Sequence, residues 1–116
     1  MNWAEILFVL LFLHALGDFA LQSEAMAKGK NRHIKNPTYI PPGQKFKETW
    51  FYWLIAHALI QGGLIYLFFP VLLIALIEVI SHFIVDYLKC ENITNLHHDQ
   101  LIHFILRIIY SIFLVM

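Results

Sequence analysis

The 116-residue chain carries few charges for a protein of its size. Only 14% of its residues are charged and 59% are hydrophobic, whereas a soluble domain is about a quarter charged and close to half apolar. So small a globule could not bury this much apolar surface in a single core. The shortage of charge therefore favours a protein that lies in a membrane.

Disulfides, glycine-rich loops and an excess of one charge are also missing. The single cysteine, Cys90, excludes an intramolecular disulfide and a zinc–thiolate site. The formal net charge is zero, so no specific nucleic-acid binding is expected. No phosphate-binding glycine loop occurs, and Ser81 adjoins His82 on one predicted helix, where neighbouring side chains point in different directions. Nucleophilic catalysis by serine or cysteine is therefore poorly supported.

Four apolar spans account for most of the chain. A helix needs about 17–25 residues to cross a bilayer, and only helices or closed barrels can do so. No alternation typical of strands is visible, which favours helices. We therefore predict an all-α fold, a four-transmembrane-helix bundle that forms a single integral membrane domain over residues 1–116, with helices at about 3–21, 50–69, 71–89 and 100–116.

A polar, basic segment separates the first two predicted helices. Residues 22–49 contain six of the eight lysines and arginines: Lys28, Lys30, Arg32, Lys35, Lys45 and Lys47. The positive-inside rule places this loop in the cytoplasm and therefore both termini in the periplasm. The loop is either a topology signal only or, in addition, a binding surface for anionic lipid or phosphate.

Polar side chains follow one face of each predicted helix, mostly at intervals of four residues. Side chains at this spacing lie above one another on a helix. The first two helices contribute His14, Asp18 and Gln22, and His57 and Gln61; the other two contribute Glu78, His82, Asp86 and Lys89, and Asp99, His103 and Arg107.

The predicted topology brings these faces to one level of the bilayer. His14, His57 and His82 each lie about seven residues, or roughly 10 Å, from the cytoplasmic end of their helix. A charged side chain at a helix centre costs about 2.5–3.5 kcal/mol on insertion scales. The charged groups must therefore pair with one another, contact water in a cavity, or bind an ion.

Histidine and carboxylate side chains that project inward from several helices are how helical bundles build metal sites. This donor set suits zinc, manganese or iron. The candidate ligands outnumber one tetrahedral shell, so one or two divalent ions are expected. A metal-free proton-relay network and simple packing of the polar groups remain as alternatives. The candidate ligands are His14, Asp18, His57, His82, Asp86, Asp99 and His103.

Four motifs carry a resemblance to known proteins. They are H-x-x-x-D-F-x-L-Q (His14–Gln22), H-A-L-I-Q (His57–Gln61), H-F-I-V-D-Y-x-K (His82–Lys89) and D-Q-L-I-H (Asp99–His103). Together they resemble a family of small bacterial and phage membrane proteins of unknown function, and they are similar to H-x-x-x-D motifs of inner-membrane metal-dependent hydrolases. The resemblance covers all four spans. It implies an inner-membrane protein of a bacterium or phage, in which the motif histidines and aspartates are ligands or bases.

The favoured function is a metal-dependent hydrolase that acts at the cytoplasmic face on a phosphoester, either a lipid or a nucleotide. Asp18, Asp86 and Glu78 are the candidate catalytic carboxylates. Arg107 is either a phosphate ligand or a counter-ion of Asp99 or Glu78. The candidate substrate-binding residues are Lys89, Arg107, Gln22 and Gln61.

Two other classes of function fit the same residues. A proton- or metal-coupled small transporter would use the intramembrane ionisable groups as its pathway, and with four helices it would need a homo-oligomer. A phage-type membrane accessory protein would hold a structural metal and bind a partner through the basic loop. In every case the lipid bilayer is a partner.

Overall fold

A computed structural model of the chain describes residues 1–34, 42–43 and 46–116, and all regular structure in these ranges is helical. The predicted all-α class is confirmed for this part of the chain. Lys35, Lys45 and the side chain of Lys47, which belong to the predicted basic loop, lie outside it. The helices are α1 (Trp3–Ala15), extended by a π-helical turn (Leu16–Ala20), α2 (Glu24–Gly29), α3 (Phe46–Phe68), α4 (Leu72–Cys90) and α5 (Leu96–Val115).

Two of the long helices begin before the apolar residues do. α3 starts at Phe46 and α5 at Leu96, each about one turn ahead of the apolar spans from which helices were predicted. The start of α5 is set by Asn95, whose side chain accepts a hydrogen bond from the backbone N–H of His98 in a capping box. A hydropathy profile does not detect a polar first turn of a helix. The start of such a turn is set by the cap residue, which acts through hydrogen bonds to the backbone.

In the part of the chain that the structure describes, three helices are long and apolar enough to cross a membrane, which makes the chain a candidate membrane protein. They span Trp3–Ala20, Thr49–Phe68 and Leu96–Val115. The predicted fourth span is not confirmed, because α4 carries three charged residues, Glu78, Asp86 and Lys89.

The four long helices form a closed bundle around two different interiors. α3 packs against α1 and α4, and α5 packs against the same two helices from the other side. One end of the bundle is filled by an apolar cluster, whereas the buried polar side chains gather at the other end. The apolar cluster consists of Ile6, Leu10, Ile65, Phe69, Ile74 and Tyr110.

The π-helical turn at the end of α1 aligns the first polar face. π-turns add a residue to a helical turn and are common at functional sites. Gly17 lies inside this turn, and a Cβ atom there would approach Nε2 of Gln61 to 2.5 Å. Glycine therefore allows the turn to lie against α3, and this contact brings the neighbouring Asp18 into the bundle.

The short helix α2 continues the polar end of the bundle. Ser23 caps it by accepting a hydrogen bond from the N–H of Met26, and α2 packs against α3. Met26 and Lys30 are both buried. The segment Ser23–Lys30, which we call the α2 arm, therefore lies on the bundle and is not a free loop.

Close packing of α3 on α4 depends on Gly62. A Cβ atom at this position would lie 2.4 Å from Cγ2 of Val79 and 2.7 Å from the carbonyl oxygen of Ala75.

We expect Gly62→Ala to destabilise the protein by about 1–3 kcal/mol through overpacking, measured by unfolding in detergent. Gly63→Ala is the matched control, since its Cβ meets nothing within 4 Å. Equal stability of the two variants would contradict this packing.

Candidate metal centre

All seven predicted ligands are buried at the polar end of the bundle, although they come from four helices and the π-turn. None is more than 7% exposed. Ring centroids of His14, His57 and His103 lie 6.3, 4.8 and 4.2 Å from that of His82. The structure therefore brings together the polar faces that the spacing predicted, and His82 lies at their centre.

Three donor atoms converge where α4, α3 and the π-turn meet. Oδ1 of Asp18 lies 3.1 Å from Nε2 of His57 and 3.2 Å from Nε2 of His82. The two Nε2 atoms are themselves 3.0 Å apart. We call this arrangement of Asp18, His57 and His82 the ligand triangle.

The ligand triangle has the size of a metal-binding face. With bonds of about 2.0–2.1 Å, the donors of a tetrahedral zinc site lie roughly 3.3 Å from one another. The two imidazole nitrogens face each other and the same carboxylate oxygen, so protons cannot satisfy all three atoms at once. A cation at this point would accept a lone pair from each of them. The geometry therefore fits a divalent ion.

A second layer of polar contacts orients the ligand triangle. Nδ1 of His82 contacts Oε1 of Glu78 at 3.2 Å, and Nη2 of Arg107 donates to the same oxygen at 2.9 Å. Gln61 donates to Oδ1 of Asp18 at 2.9 Å and accepts from Arg107 at 3.2 Å. Partners of this kind set the ring orientation and basicity of metal-bound histidines. Glu78, a predicted catalytic carboxylate, is placed to position His82.

Arg107 is completely buried behind the ligand triangle. Its Nη2 also lies 3.3 Å from Nδ1 of His14. Of the two roles considered for Arg107, this placement favours the counter-ion of Glu78 over a contact with substrate.

Asp86 lies beside the ligand triangle between two lysines. Its Oδ2 is 3.6 Å from Nε2 of His57 and 2.6 Å from Nζ of Lys30, and its Oδ1 is 3.1 Å from Nζ of Lys89. Gln22, a predicted substrate ligand, accepts a hydrogen bond from Lys30. Asp86 therefore pairs with two lysines at the edge of the ligand triangle.

Lys30 is a site residue that the sequence does not predict. It is one of six basic residues in a polar segment predicted to be a loop, yet its side chain is only 4% exposed. The N-cap residue Ser23 and the helix-forming residues after it indicate a short helix. They do not indicate which lysine turns inward, because that depends on how α2 packs on α3.

The residues that follow the α2 arm contact the C-terminal end of α4. Nη2 of Arg32 donates to Oε2 of Glu91 at 3.0 Å, and Nε2 of His33 lies 2.9 Å from the same oxygen. The hydrogen bond from Arg32, assisted by that from His33, lowers the pKa of Glu91 to about 2. The carboxylate is therefore charged at neutral pH and ties Arg32 and His33 to the C-terminal end of α4.

The remaining predicted ligands form a second group next to the ligand triangle. Gln100 donates from Nε2 to Oδ2 of Asp18 at 2.9 Å and to Oδ2 of Asp99 at 3.0 Å. Its Oε1 lies 3.1 Å from Nε2 of His14. The His103 ring stacks on that of His82 with an interplanar angle of 19°. Donor atoms of Asp18, Asp99 and His103 lie within 4.8 Å of one another.

The charges of the polar cluster can be counted over the residues that the structure describes. With neutral histidines, four carboxylates face three basic side chains, which leaves one net negative charge. Buried charge without compensation is costly, so the imbalance favours binding of a cation. The carboxylates are Asp18, Glu78, Asp86 and Asp99, and the basic groups are Lys30, Lys89 and Arg107.

The pair between Glu78 and Arg107 gives a test of this second layer. We expect Arg107→Met to destabilise the protein by about 3–5 kcal/mol, because it removes the guanidinium partner of the buried carboxylate of Glu78. The double variant Glu78→Met with Arg107→Met should recover much of this loss, as measured by a double-mutant cycle of unfolding in detergent. Strictly additive effects of the two substitutions would show that the pair is not coupled.

Comparisons with known proteins identify the family and nothing narrower. No curated protein and no solved structure matches the chain. The sequence model of DUF3307, described as a protein of unknown function, matches residues 6–116. This range includes α2–α5 and all seven predicted ligands, which confirms the expectation of a family of unknown function. The chain belongs to the DUF3307 family.

Proposed function

We propose that the protein is a membrane-embedded, metal-dependent hydrolase whose divalent ion binds to Asp18, His57 and His82. The ligand triangle carries this proposal, because its three donors lie within 3.2 Å of one another. Three protein ligands leave a position open, as in catalytic zinc sites. When bound, zinc, manganese or iron supplies Lewis acidity that activates water near neutral pH and stabilises negative charge on a substrate oxygen.

The lysines beside Asp86 support a phosphoester as the substrate. The ammonium groups of Lys30 and Lys89 contact opposite oxygens of this carboxylate, so a phosphoryl group bound there would meet two positive charges. Lys89 also lines a surface pocket with Asn92, Asn95 and other residues of the α4–α5 connection. A phosphorylated lipid headgroup or nucleotide in this pocket would contact Lys89 from the surface.

Asp86 and Lys89 are placed to move the protons of hydrolysis. Water attacks phosphorus and the bond from phosphorus to the alcohol oxygen breaks. Asp86 takes the proton that water loses, and Lys89 gives a proton to the departing alcohol. The proton then returns from Asp86 to Lys89 across their 3.1 Å contact, so both groups end as they began.

A transport function is less well supported. A carrier needs polar groups along the whole bundle, but the end opposite the polar cluster is filled by the apolar cluster. Leu10 and Ile65 in this cluster have no exposed surface. Among the described residues the polar groups therefore form a closed-ended site, which suits an enzyme better than a pathway.

Metal content and hydrolysis test the proposal together. We expect protein purified in detergent without chelator to contain at least one transition-metal ion per chain, and His82→Asn to lose most of it. Asp86→Asn should keep the metal but hydrolyse phosphoesters about 10²–10⁴-fold more slowly, as expected for loss of a general base. The measurements are elemental analysis and turnover of aryl phosphates, phosphatidic acid and nucleotides.

The matched control is His97→Asn, because His97 is an exposed histidine of α5 outside the cluster. It should keep the metal and the rate of the unmodified protein. Metal-free unmodified protein would refute the metal-dependent hydrolase. Wild-type turnover by Asp86→Asn would refute the proton transfer assigned to this residue.

We further propose that the polar end of the bundle faces the cytoplasm of a bacterial inner membrane, with both termini in the periplasm. Lys28, Lys30 and Arg32 lie at this end and satisfy the positive-inside rule. Alkaline phosphatase fused after Met116 should be active, whereas a fluorescent protein fused there should be dark after export. The opposite pattern would place the site outside the cytoplasm.

A further inference from the structure

We infer that a second divalent cation binds next to the first, held by Asp99 and His103 and joined to the first ion by the carboxylate of Asp18. The inference rests on the proposed function, because the first ion uses the same aspartate. It changes a site with one metal into a two-metal centre.

His103 is the observation that points to a second ligand. Only 1% of its surface is exposed, and among the described residues neither ring nitrogen has a hydrogen-bond partner. Its nearest carboxylate contact, from Nε2 to Oδ1 of Asp99, measures 3.6 Å, which is too long for a hydrogen bond. Burial of an imidazole without partners is unfavourable, and a cation next to His103 would use its free lone pair.

The two oxygens of Asp18 face different groups. Oδ1 belongs to the ligand triangle, whereas Oδ2 lies 3.4 Å from Nε2 of His14 and 2.9 Å from Nε2 of Gln100. A carboxylate in this position can bind one ion through each oxygen. Ions in two-metal hydrolytic sites are about 3.5–4 Å apart, a distance that one bridging carboxylate can span.

Gln100 marks the position of the second ion. Its amide nitrogen lies between Oδ2 of Asp18 and Oδ2 of Asp99, at 2.9 and 3.0 Å. A hydrogen-bond donor there has the electrostatic role that a cation would have. Rotation of the amide about its terminal torsion would place Oε1 at this point instead, as an additional oxygen ligand.

Charge connects the number of ions to the substrate. One divalent ion would turn the single net negative charge of the cluster into one net positive charge, and a second ion would add two more. A strongly positive centre favours a substrate with two negative charges over one with a single charge. The two-metal centre therefore indicates a phosphomonoester in preference to a phosphodiester.

Manganese provides a readout that does not depend on activity. We expect metal-free unmodified protein, titrated with Mn²⁺ in detergent, to bind two ions per chain. Ions bridged by a carboxylate are magnetically coupled, so the electron paramagnetic resonance spectrum should show the many closely spaced lines of a coupled pair. His103→Asn and Asp99→Asn should each bind one ion and give the six-line spectrum of isolated Mn²⁺.

The His97→Asn control should retain two coupled ions. Saturation of the unmodified protein at one uncoupled ion would overturn the second site while leaving the proposed hydrolase intact, provided that His82→Asn abolishes this binding. Binding of no ion would overturn both proposals. If His103→Asn fails to fold, the stoichiometry and spectrum of the unmodified protein still decide between one site and two.

Discussion

The organisation of the polar end depends on the carboxylate of Asp18. It contacts His57 of α3, His82 of α4 and Gln100 of α5, and it lies one turn from His14 on its own helix. A carboxylate that is only 7% exposed requires such partners, because its charge is strongly disfavoured in an apolar interior. Each long helix therefore presents a polar side chain at the same level, and the polar end is arranged around the carboxylate of Asp18.

Much of this arrangement could be predicted from spacing. Repeats of four residues place His14 with Asp18, and His82 with Asp86, on single helical faces. Alternating helix direction then sets their common level. The capped start of α5 and the π-turn at Gly17 could not be predicted in this way. Both depend on hydrogen bonds and on contacts with another helix, which a hydropathy profile does not record.

The contacts that each charged residue makes could not be predicted from the sequence either. Lys30 and Arg107 are both basic, yet Lys30 comes from a polar segment to contact Asp86, and Arg107 lies within an apolar helix behind His82. Charge and periodicity identify the helical face on which a residue lies. They do not identify which of several nearby carboxylates it contacts, since that choice is made by tertiary packing of α2 and α5. For the same reason, Glu78 and Asp86 share one face of α4 but have different partners: Glu78 contacts His82, whereas Asp86 lies between Lys30 and Lys89.

The two ends of the bundle differ in what they contribute: one end contributes stability, and the other contains the groups capable of chemistry. The apolar cluster at Leu10 and Ile65 provides close packing, whereas the polar end contains four buried carboxylates. Buried ion pairs are often no more stabilising than apolar residues of the same volume. A bundle selected only for stability could have continued its apolar cluster through both ends. Among the described residues, the nitrogens of His103 have no hydrogen-bond partner, and carboxylates outnumber basic side chains around Asp18. A bound cation would remove both costs, which makes ion binding the simplest physical reason for their presence.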